Sequence, residues 1–284
     1  MEGITKIRHC LEMVKFSHSI FALPFALASL FFATQGFPPL RLFILIVLAM
    51  IFARNTAMGF NRYIDAAIDA ANPRTAIRHI PKGLLTKNFV LAFVIANALL
   101  FILTASFFNQ LTLWLSPVAL FIICFYSVTK RWTHYTQLFL GLSLGIAPIG
   151  AWIAAIGTLE PFPLLLGAAV LFWVAGFDLI YATQDYEFDR EKELKSLVVK
   201  FGISRALWLS RFFHFLTIGL LMAIGFIYSL GLPYFTTLSV ITIFLVYEQS
   251  LVKPHDLSRV NAAFFTVNGF VGFLFLAGIT WEIF

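Results

Sequence analysis

Long apolar runs separated by polar segments follow one another along almost the whole chain. Runs of about 20 residues, taken as helices, are long enough to cross a hydrocarbon core of about 30 Å. The pattern predicts an all-α polytopic membrane protein with about nine transmembrane helices. That these helices surround a central cavity is an expectation that the acidic motifs described below add. The predicted spans lie near residues 19–35, 41–60, 89–108, 111–128, 136–157, 161–182, 207–230, 233–249 and 262–284. The runs at 111–128 and 233–249 are short and contain polar residues, so eight spans is the alternative.

Composition agrees with a chain whose main solvent is lipid. Of the 284 residues, 60% are apolar and 12% are charged, against roughly 25% charged residues in soluble domains. Since the apolar runs are spread evenly, we expect one membrane domain over residues 1–284. The charged segment before the first run has no small-residue cleavage pattern, so no cleaved signal peptide is expected. Cys10 and Cys124 lack the spacing of a disulfide framework or a metal site.

The distribution of basic residues predicts the orientation of the chain. If the N-terminus is cytoplasmic, every lysine and arginine except Arg41 falls on the cytoplasmic side, as the positive-inside rule requires. The segments 61–88 and 183–206 on that side are long and rich in both signs of charge. Functional residues concentrate in such loops. We therefore expect a bacterial inner-membrane protein whose active site faces the cytoplasm, with no nucleic-acid partner.

An acidic motif ends the second predicted span. Asn61, Asp65 and Asp69 stand four residues apart, which places them on one face of a helix. Two carboxylates one turn apart repel each other unless a cation lies between them. Oxygen ligands favour a hard ion such as Mg²⁺, which commonly shares its coordination shell with substrate phosphates. The motif therefore predicts a metal site for a diphosphate.

A second acidic motif ends the sixth predicted span. Asp178, Tyr181, Asp185 and Asp189 follow one another at steps of three, four and four residues, again on one helical face. Both motifs end even-numbered spans, so they can face each other across a cavity and hold two metal ions. A single carboxylate here has an alternative explanation as a solvated helix end. Two matched motifs favour function, because ionisable groups beside the hydrocarbon region tend to be functional.

Basic side chains on the same side can neutralise a diphosphate, because guanidinium and ammonium groups bind phosphate oxygens. The candidates are Arg54, Arg74, Arg78, Lys130, Arg131 and Lys195. Topology alone also predicts basic loops, so the combination with the acidic motifs is the informative feature. His18 lies where the first span enters the membrane, and either donates to an aromatic carboxylate or simply lies at the interface.

These residues resemble the UbiA superfamily of intramembrane aromatic prenyltransferases, whose motifs are NxxxDxxxD and a later DxxxD that follows a Tyr-Ala or Tyr-Asp pair. The run Tyr126 to Arg131 is similar to the YxxxKR element of that family. By resemblance, Mg²⁺ is held by Asp65, Asp69, Asp185 and Asp189. The implied diphosphate-binding residues are Asn61, Arg74, Arg78, Lys130, Arg131 and Lys195. Catalytic candidates are Asp65, Asp185, Arg54 and Tyr181, and candidates for acceptor binding are His18 and Asp178.

The resemblance implies transfer of a polyprenyl group from a polyprenyl diphosphate to an aromatic acid such as 4-hydroxybenzoate, in quinone biosynthesis within the bilayer. Arg62 follows Asn61 where many ubiquinone-pathway members have Asp. This form is more typical of menaquinone-route relatives, so a hydroxynaphthoate acceptor is the alternative. An ion-coupled or proton-coupled transporter is the rival of another class. Transporters place their ionisable groups near the midplane on broken helices, whereas these motifs end spans and continue into charged loops.

Overall fold

The regular structure of this protein is helical throughout the part of the chain that the computed structural model describes, residues 8–10, 12–14 and 21–284. The helices are α1 (Leu23–Thr34), α2 (Leu40–Ile64), α3 (Ala66–Ala71), α4 (Lys87–Ala105), α5 (Gln110–Thr129), α6 (Thr136–Ile156), α7 (Pro161–Ala182), α8 (Tyr186–Glu191), α9 (Leu197–Phe201), α10 (Ile203–Ile227), α11 (Leu232–Leu251) and α12 (Asn268–Ile283). A 3₁₀ turn, Thr183–Asp185, joins α7 to α8, and a π-helical segment, Ala262–Val267, leads into α12.

Among the described residues, seven helical segments are long and apolar enough to cross a membrane. They are α2, α4, α5, α6, α7 continued to Glu191, α10, and the segment Ala262–Ile283. The predicted runs at 19–35 and 233–249 fall on α1, which is shorter, and on α11, which lies outside the seven. The predicted class, an all-α polytopic membrane protein, is confirmed. A total of nine spans and a cytoplasmic N-terminus stay predictions.

Local sequence explains where several helices begin and end. The side chains of Thr86 and Asn109 accept hydrogen bonds from the amides of Phe89 and Thr112 and so cap α4 and α5. Pro161 occupies the first position of α7, where its missing amide hydrogen costs nothing. Gly157 follows α6 at a φ of 82°, a left-handed conformation that favours glycine. Gly157 and Pro161 together define the turn between α6 and α7.

The centre of the bundle is α7, which is buried along most of its length. Its Phe162 stacks on Phe32 of α1 at a centroid distance of 4.0 Å, and its Trp173 lies 5.1 Å from Phe25. The backbone of α7 approaches α6 closely at Gly145 and Gly167. A Cβ atom added to Gly145 would lie only 2.5 Å from the carbonyl oxygen of Gly167. Small residues allow such contacts between membrane helices. This packing fixes the end of α7, which carries the second acidic motif.

Both acidic motifs cross the end of a long helix. Asp65 follows the last residue of α2, and Asp69 lies on the short α3. The amide of Asp65 donates to the carbonyl of Asn61 at 3.0 Å, and the amide of Asp69 donates to that of Asp65 at 2.8 Å. Helical spacing therefore continues through the first motif. In the second motif, Asp185 belongs to the 3₁₀ turn and Asp189 to α8.

Candidate active site

Two adjoining cavities lie where the acidic motifs meet. The polar cavity has a volume of about 200 Å³ and is lined by residues of both motifs and of the loops that follow them. The apolar cavity has a volume of about 410 Å³ and extends among α2, α5, α6 and α7. The two share part of their wall, formed by Asn61, Arg78, Tyr126, Asp178 and Tyr181. The two motifs thus face one cavity, as the sequence predicts.

Asp65 is the most extensively paired carboxylate of the polar cavity, and it is 2% exposed. Its Oδ2 accepts hydrogen bonds from Lys130 Nζ at 2.6 Å and from Asn61 Nδ2 at 3.0 Å. Its Oδ1 accepts from Arg131 Nη2 at 3.0 Å. Two cations around one buried carboxylate offset much of the cost of removing its charge from water. The YxxxKR element and the first acidic motif are therefore one electrostatic unit.

Asp69 is also buried, and Arg78 Nη1 donates to its Oδ1 at 2.6 Å. Its second oxygen, Oδ2, is buried and accepts no hydrogen bond from any described residue. A buried acceptor without a partner is costly. This oxygen can therefore accept a further cation. A cation is accordingly the kind of ligand that this part of the cavity suits.

Asp185 is paired with Arg74 through a two-pronged contact. Arg74 Nε donates to Asp185 Oδ1 at 2.9 Å, and Nη2 donates to Oδ2. The same guanidinium donates from Nη1 to the hydroxyl of Tyr181 at 3.0 Å. Partial burial works to lower the pKa of Arg74, but the hydrogen bonds and charge of Asp185 outweigh it and raise that pKa. The first loop is thus tied to the second motif.

Asp178 and Asp189 complete the acidic lining of the polar cavity. Within the described residues, neither side chain forms a hydrogen bond or an ion pair, and both are half-buried. Asp178 is the carboxylate common to both cavities. Asp65, Asp69, Asp185 and Asp189 are the predicted metal ligands. In the described part of the chain, no three of them bring their carboxylate oxygens within 4.8 Å of one another. Their basic partners explain this spread, because Asp65, Asp69 and Asp185 are each drawn to a different cation.

The remaining predicted residues have different positions. Arg54 lies inside α2, lines the apolar cavity and donates to the carbonyl of Val14 at 3.1 Å. Lys195 lines the polar cavity, and its Nζ donates to the carbonyl of Trp132 at 3.1 Å. His18 lies outside the described residues.

Two residues without a predicted role take part in the site. Asn72 donates from Nδ2 to Asp185 Oδ1 at 3.1 Å and accepts from the amide of Arg74. The Asn-Pro-Arg sequence of the first loop indicates a turn, but it does not indicate that Asn72 pairs with Asp185 of the second motif. Arg62 lines the apolar cavity and donates to Asn61 Oδ1 at 3.2 Å. The sequence feature that could have identified Arg62 as part of the site was its departure from the family pattern.

A charged cavity that shares its wall with an apolar one can accommodate a substrate with a polar head and a hydrocarbon tail. A sequence model described as the UbiA prenyltransferase family matches residues 22–277. The chain therefore belongs to the UbiA prenyltransferase family, as the motifs predict.

Curated relatives resemble the chain over most of its length. The 4-hydroxybenzoate octaprenyltransferase of Vibrio cholerae serotype O1 is 32% identical over 255 residues, which are 88% of each chain. The enzyme of the same name from Vesicomyosocius okutanii is 28% identical over 258 residues, 90% of this chain and 93% of the relative.

Solved structures share the fold. A UbiA homologue from Aeropyrum pernix K1, determined in its apo form, has a TM-score of 0.85 at 31% identity and covers 94% of this chain and 98% of its own. A UbiA homologue from Archaeoglobus fulgidus, bound to GPP and Mg²⁺, has a TM-score of 0.77 at 21% identity, with 97% and 99% covered.

Proposed function

We propose that this chain transfers a polyprenyl group from a polyprenyl diphosphate to an aromatic acid, with Mg²⁺ as cofactor. The observation that carries the proposal is the wall shared by the polar and apolar cavities. A substrate with a charged head and a long hydrocarbon tail requires two such environments side by side. Relatives that carry the name of this activity, and a homologue bound to GPP and Mg²⁺, support the proposal.

The donor set of the polar cavity fits Mg²⁺, because all its acidic ligands offer oxygen. Asp69 Oδ2 is buried without a hydrogen bond, and Asp189 lines the same cavity. Asp65 and Asp185 complete the proposed set once their basic partners turn to the substrate. When bound, Mg²⁺ neutralises charge on the diphosphate and makes it a better leaving group.

The basic residues would exchange partners when the donor binds. In this structure Lys130 and Arg131 pair with Asp65, Arg78 with Asp69, and Arg74 with Asp185. If Asp65, Asp69 and Asp185 held the metal, their basic partners would be free, and the same ammonium and guanidinium groups would donate to diphosphate oxygens. Charge-assisted contacts of this kind are strong and directional. Each basic side chain thereby keeps an anionic partner before and after binding.

The apolar cavity would receive the first isoprene units of the donor and the acceptor ring. Arg54 and Arg62 both line it, and a guanidinium is well suited to a carboxylate. We therefore assign the carboxylate of the aromatic acid to Arg54 and Arg62. The rings of Tyr181 and Phe264 lie 4.2 Å apart in the wall, where aromatic faces can stabilise an allylic cation.

The reaction breaks the bond between the allylic carbon and the diphosphate oxygen, and the electron pair leaves with the diphosphate. Lys130, Arg131, Arg74 and Arg78 stabilise the charge that develops there. A ring carbon ortho to the phenol oxygen of the acceptor then bonds to the allylic carbon. The proton lost from that ring carbon passes to Asp178, the carboxylate present in both cavities. The apolar wall limits capture of the cation by water.

The orientation proposed for the enzyme places the polar cavity on the cytoplasmic side of a bacterial inner membrane, since the basic residues collect there. Cysteines introduced at positions 82 and 192 of the two charged loops should resist a membrane-impermeant reagent in intact cells and react after lysis. Efficient labelling of both positions in intact cells would reverse this orientation.

The decisive experiment uses purified protein, labelled polyprenyl diphosphate, Mg²⁺ and a panel of hydroxybenzoates and hydroxynaphthoates. We expect one acceptor class to give a product heavier by one prenyl group, and EDTA to stop its formation. Wild-type turnover that persists in EDTA would exclude the metal assignment. Donor binding without prenylation of any acceptor in the panel would exclude the proposed acceptor class.

A further inference from the structure

Three side chains of types that can ligate a metal meet outside the two cavities. His9 and Glu12 lie on the N-terminal segment, and His79 lies in the loop after the first acidic motif. Glu12 Oε2 is 3.3 Å from His9 Nδ1 and 3.6 Å from His79 Nε2. The ligand atoms of the three residues all lie within 4.8 Å of one another. In the described part of the chain, this is the one group of three metal-ligating residues that close together.

Packing brings the two segments together. Cys10, Met13 and Val14 of the N-terminal segment are buried, and they form one apolar cluster with Leu85 and Val90. His9 directly precedes the buried Cys10, and Glu12 directly precedes the buried Met13. The contact of the N-terminal segment with residues that follow His79 therefore places His9 and Glu12 opposite the His79 ring. The group follows from this docking, and local sequence spacing could not have predicted it.

The distances suit a tetrahedral metal ion. Zinc binds imidazole nitrogen and carboxylate oxygen at about 2.0–2.2 Å, which in a tetrahedron separates neighbouring ligand atoms by about 3.3–3.6 Å. Both distances from Glu12 Oε2, 3.3 Å and 3.6 Å, fall within this range. The other carboxylate oxygen, Oε1, accepts a hydrogen bond from Arg8 Nε at 2.9 Å. An outer partner of this kind orients a ligating carboxylate.

The chemistry and accessibility of the group also suit a transition metal. The side chains of His9 and His79 are 23% and 21% exposed, and that of Glu12 is 44% exposed. An ion can therefore enter from solvent, and water can fill a fourth position. Two imidazoles with one carboxylate favour Zn²⁺ over Mg²⁺, which prefers oxygen ligands. The group thus differs in donor type from the acidic lining of the polar cavity.

We propose that His9, Glu12 and His79 form a Zn²⁺ site that fastens the N-terminal segment to the first loop. His79 follows Arg78, whose guanidinium pairs with Asp69. A metal bound to His79 restrains the loop one residue from this member of the polar cavity. The proposed site is independent of the reaction, and its test does not use prenyl transfer.

The test measures Zn²⁺ binding to the full-length protein without an affinity tag, in detergent, after treatment with a chelator. Excess Mg²⁺ is present throughout to occupy oxygen sites. We expect one Zn²⁺ per chain, and at least about tenfold weaker binding in His9→Asn, Glu12→Gln and His79→Asn, since changing even an outer partner of a metal typically costs 10- to 100-fold. His255→Asn, which alters an exposed histidine elsewhere, should bind Zn²⁺ as the wild type does.

A second measurement tests whether Zn²⁺ holds the N-terminal segment against the first loop. Zn²⁺ should slow tryptic cleavage in the N-terminal segment of the wild type and of His255→Asn, but not of Glu12→Gln. The last variant retains the shape of the side chain, so loss of folding is not expected to complicate the result. Equal Zn²⁺ affinity in wild type and all three ligand variants, or no Zn²⁺ uptake by the wild type, would overturn the proposal.

Discussion

Arg78 lines both cavities, between the positions proposed for the head and the tail of the donor. Its Nη1 lies 2.6 Å from Asp69 Oδ1, and its side chain is 26% exposed. We expect Arg78→Ala to weaken donor binding, because the proposed exchange turns this guanidinium toward a diphosphate oxygen. Acceptor binding should change little, since the acceptor carboxylate is assigned to other arginines.

The expected magnitude follows from one lost charge-assisted contact. A hydrogen bond to a charged group contributes about 1.5–3 kcal/mol, which corresponds to about 10- to 150-fold in affinity. Limited exposure of the side chain keeps solvent screening small. An opposing effect comes from Asp69, which loses its cation and becomes more available to Mg²⁺. Saturating Mg²⁺ removes this second effect from the measurement.

The assay determines the Michaelis constants for donor and acceptor separately. Arg78→Lys should lie between wild type and Arg78→Ala, because it retains the charge and loses the planar fork. Lys82→Ala serves as the matched control, since it removes an exposed positive charge from the same loop. If the donor constant stays unchanged in Arg78→Ala while the acceptor constant rises, Arg78 binds the aromatic carboxylate and the division of roles is wrong.

Substitutions at four further residues test other parts of the structure. Asp65→Asn and Asp185→Asn should each lower kcat by about 10²- to 10³-fold, the range for losing one preorganised electrostatic contact, and unchanged turnover of both in saturating Mg²⁺ would contradict their role. Arg62→Gln should raise the Michaelis constant for the acceptor and leave that for the donor unchanged, whereas a rise for the donor alone would assign Arg62 to the diphosphate. Glu248, fully buried, accepts from Asn268 Nδ2 at 2.7 Å, so Glu248→Leu should destabilise the fold by about 1–3 kcal/mol and Glu248→Gln by less. Thermal unfolding in detergent measures this difference, and equal stability of both variants would show that the hydrogen bond contributes little.

The sequence by itself determined the class of fold and the position of the two acidic motifs along the chain. A membrane span can be recognised from contiguous sequence alone, because its length and hydropathy do not depend on contacts with other parts of the chain. The four-residue spacing of Asn61, Asp65 and Asp69 likewise places them together through helix geometry alone. The predicted all-α class therefore agrees with the observed helices, and the motifs agree with the family match.

Only the tertiary structure decided which charges pair. Arg74 lies 111 residues from its partner Asp185, and Lys130 lies 65 residues from Asp65. No spacing rule connects such residues, because their distance depends on how the long helices pack and where each one ends. The sequence predicted these acids as metal ligands and these bases as phosphate ligands. It did not predict that they bind each other in the absence of either ligand.

The same reason explains Asn72 and the group of His9, Glu12 and His79. Asn72 acquires its role from the contact with Asp185 across the polar cavity. The two histidines come together because the N-terminal segment packs on the first loop. Hydropathy and helical spacing describe neighbours along the chain, whereas these contacts join segments that are distant in sequence and adjacent only in the folded bundle.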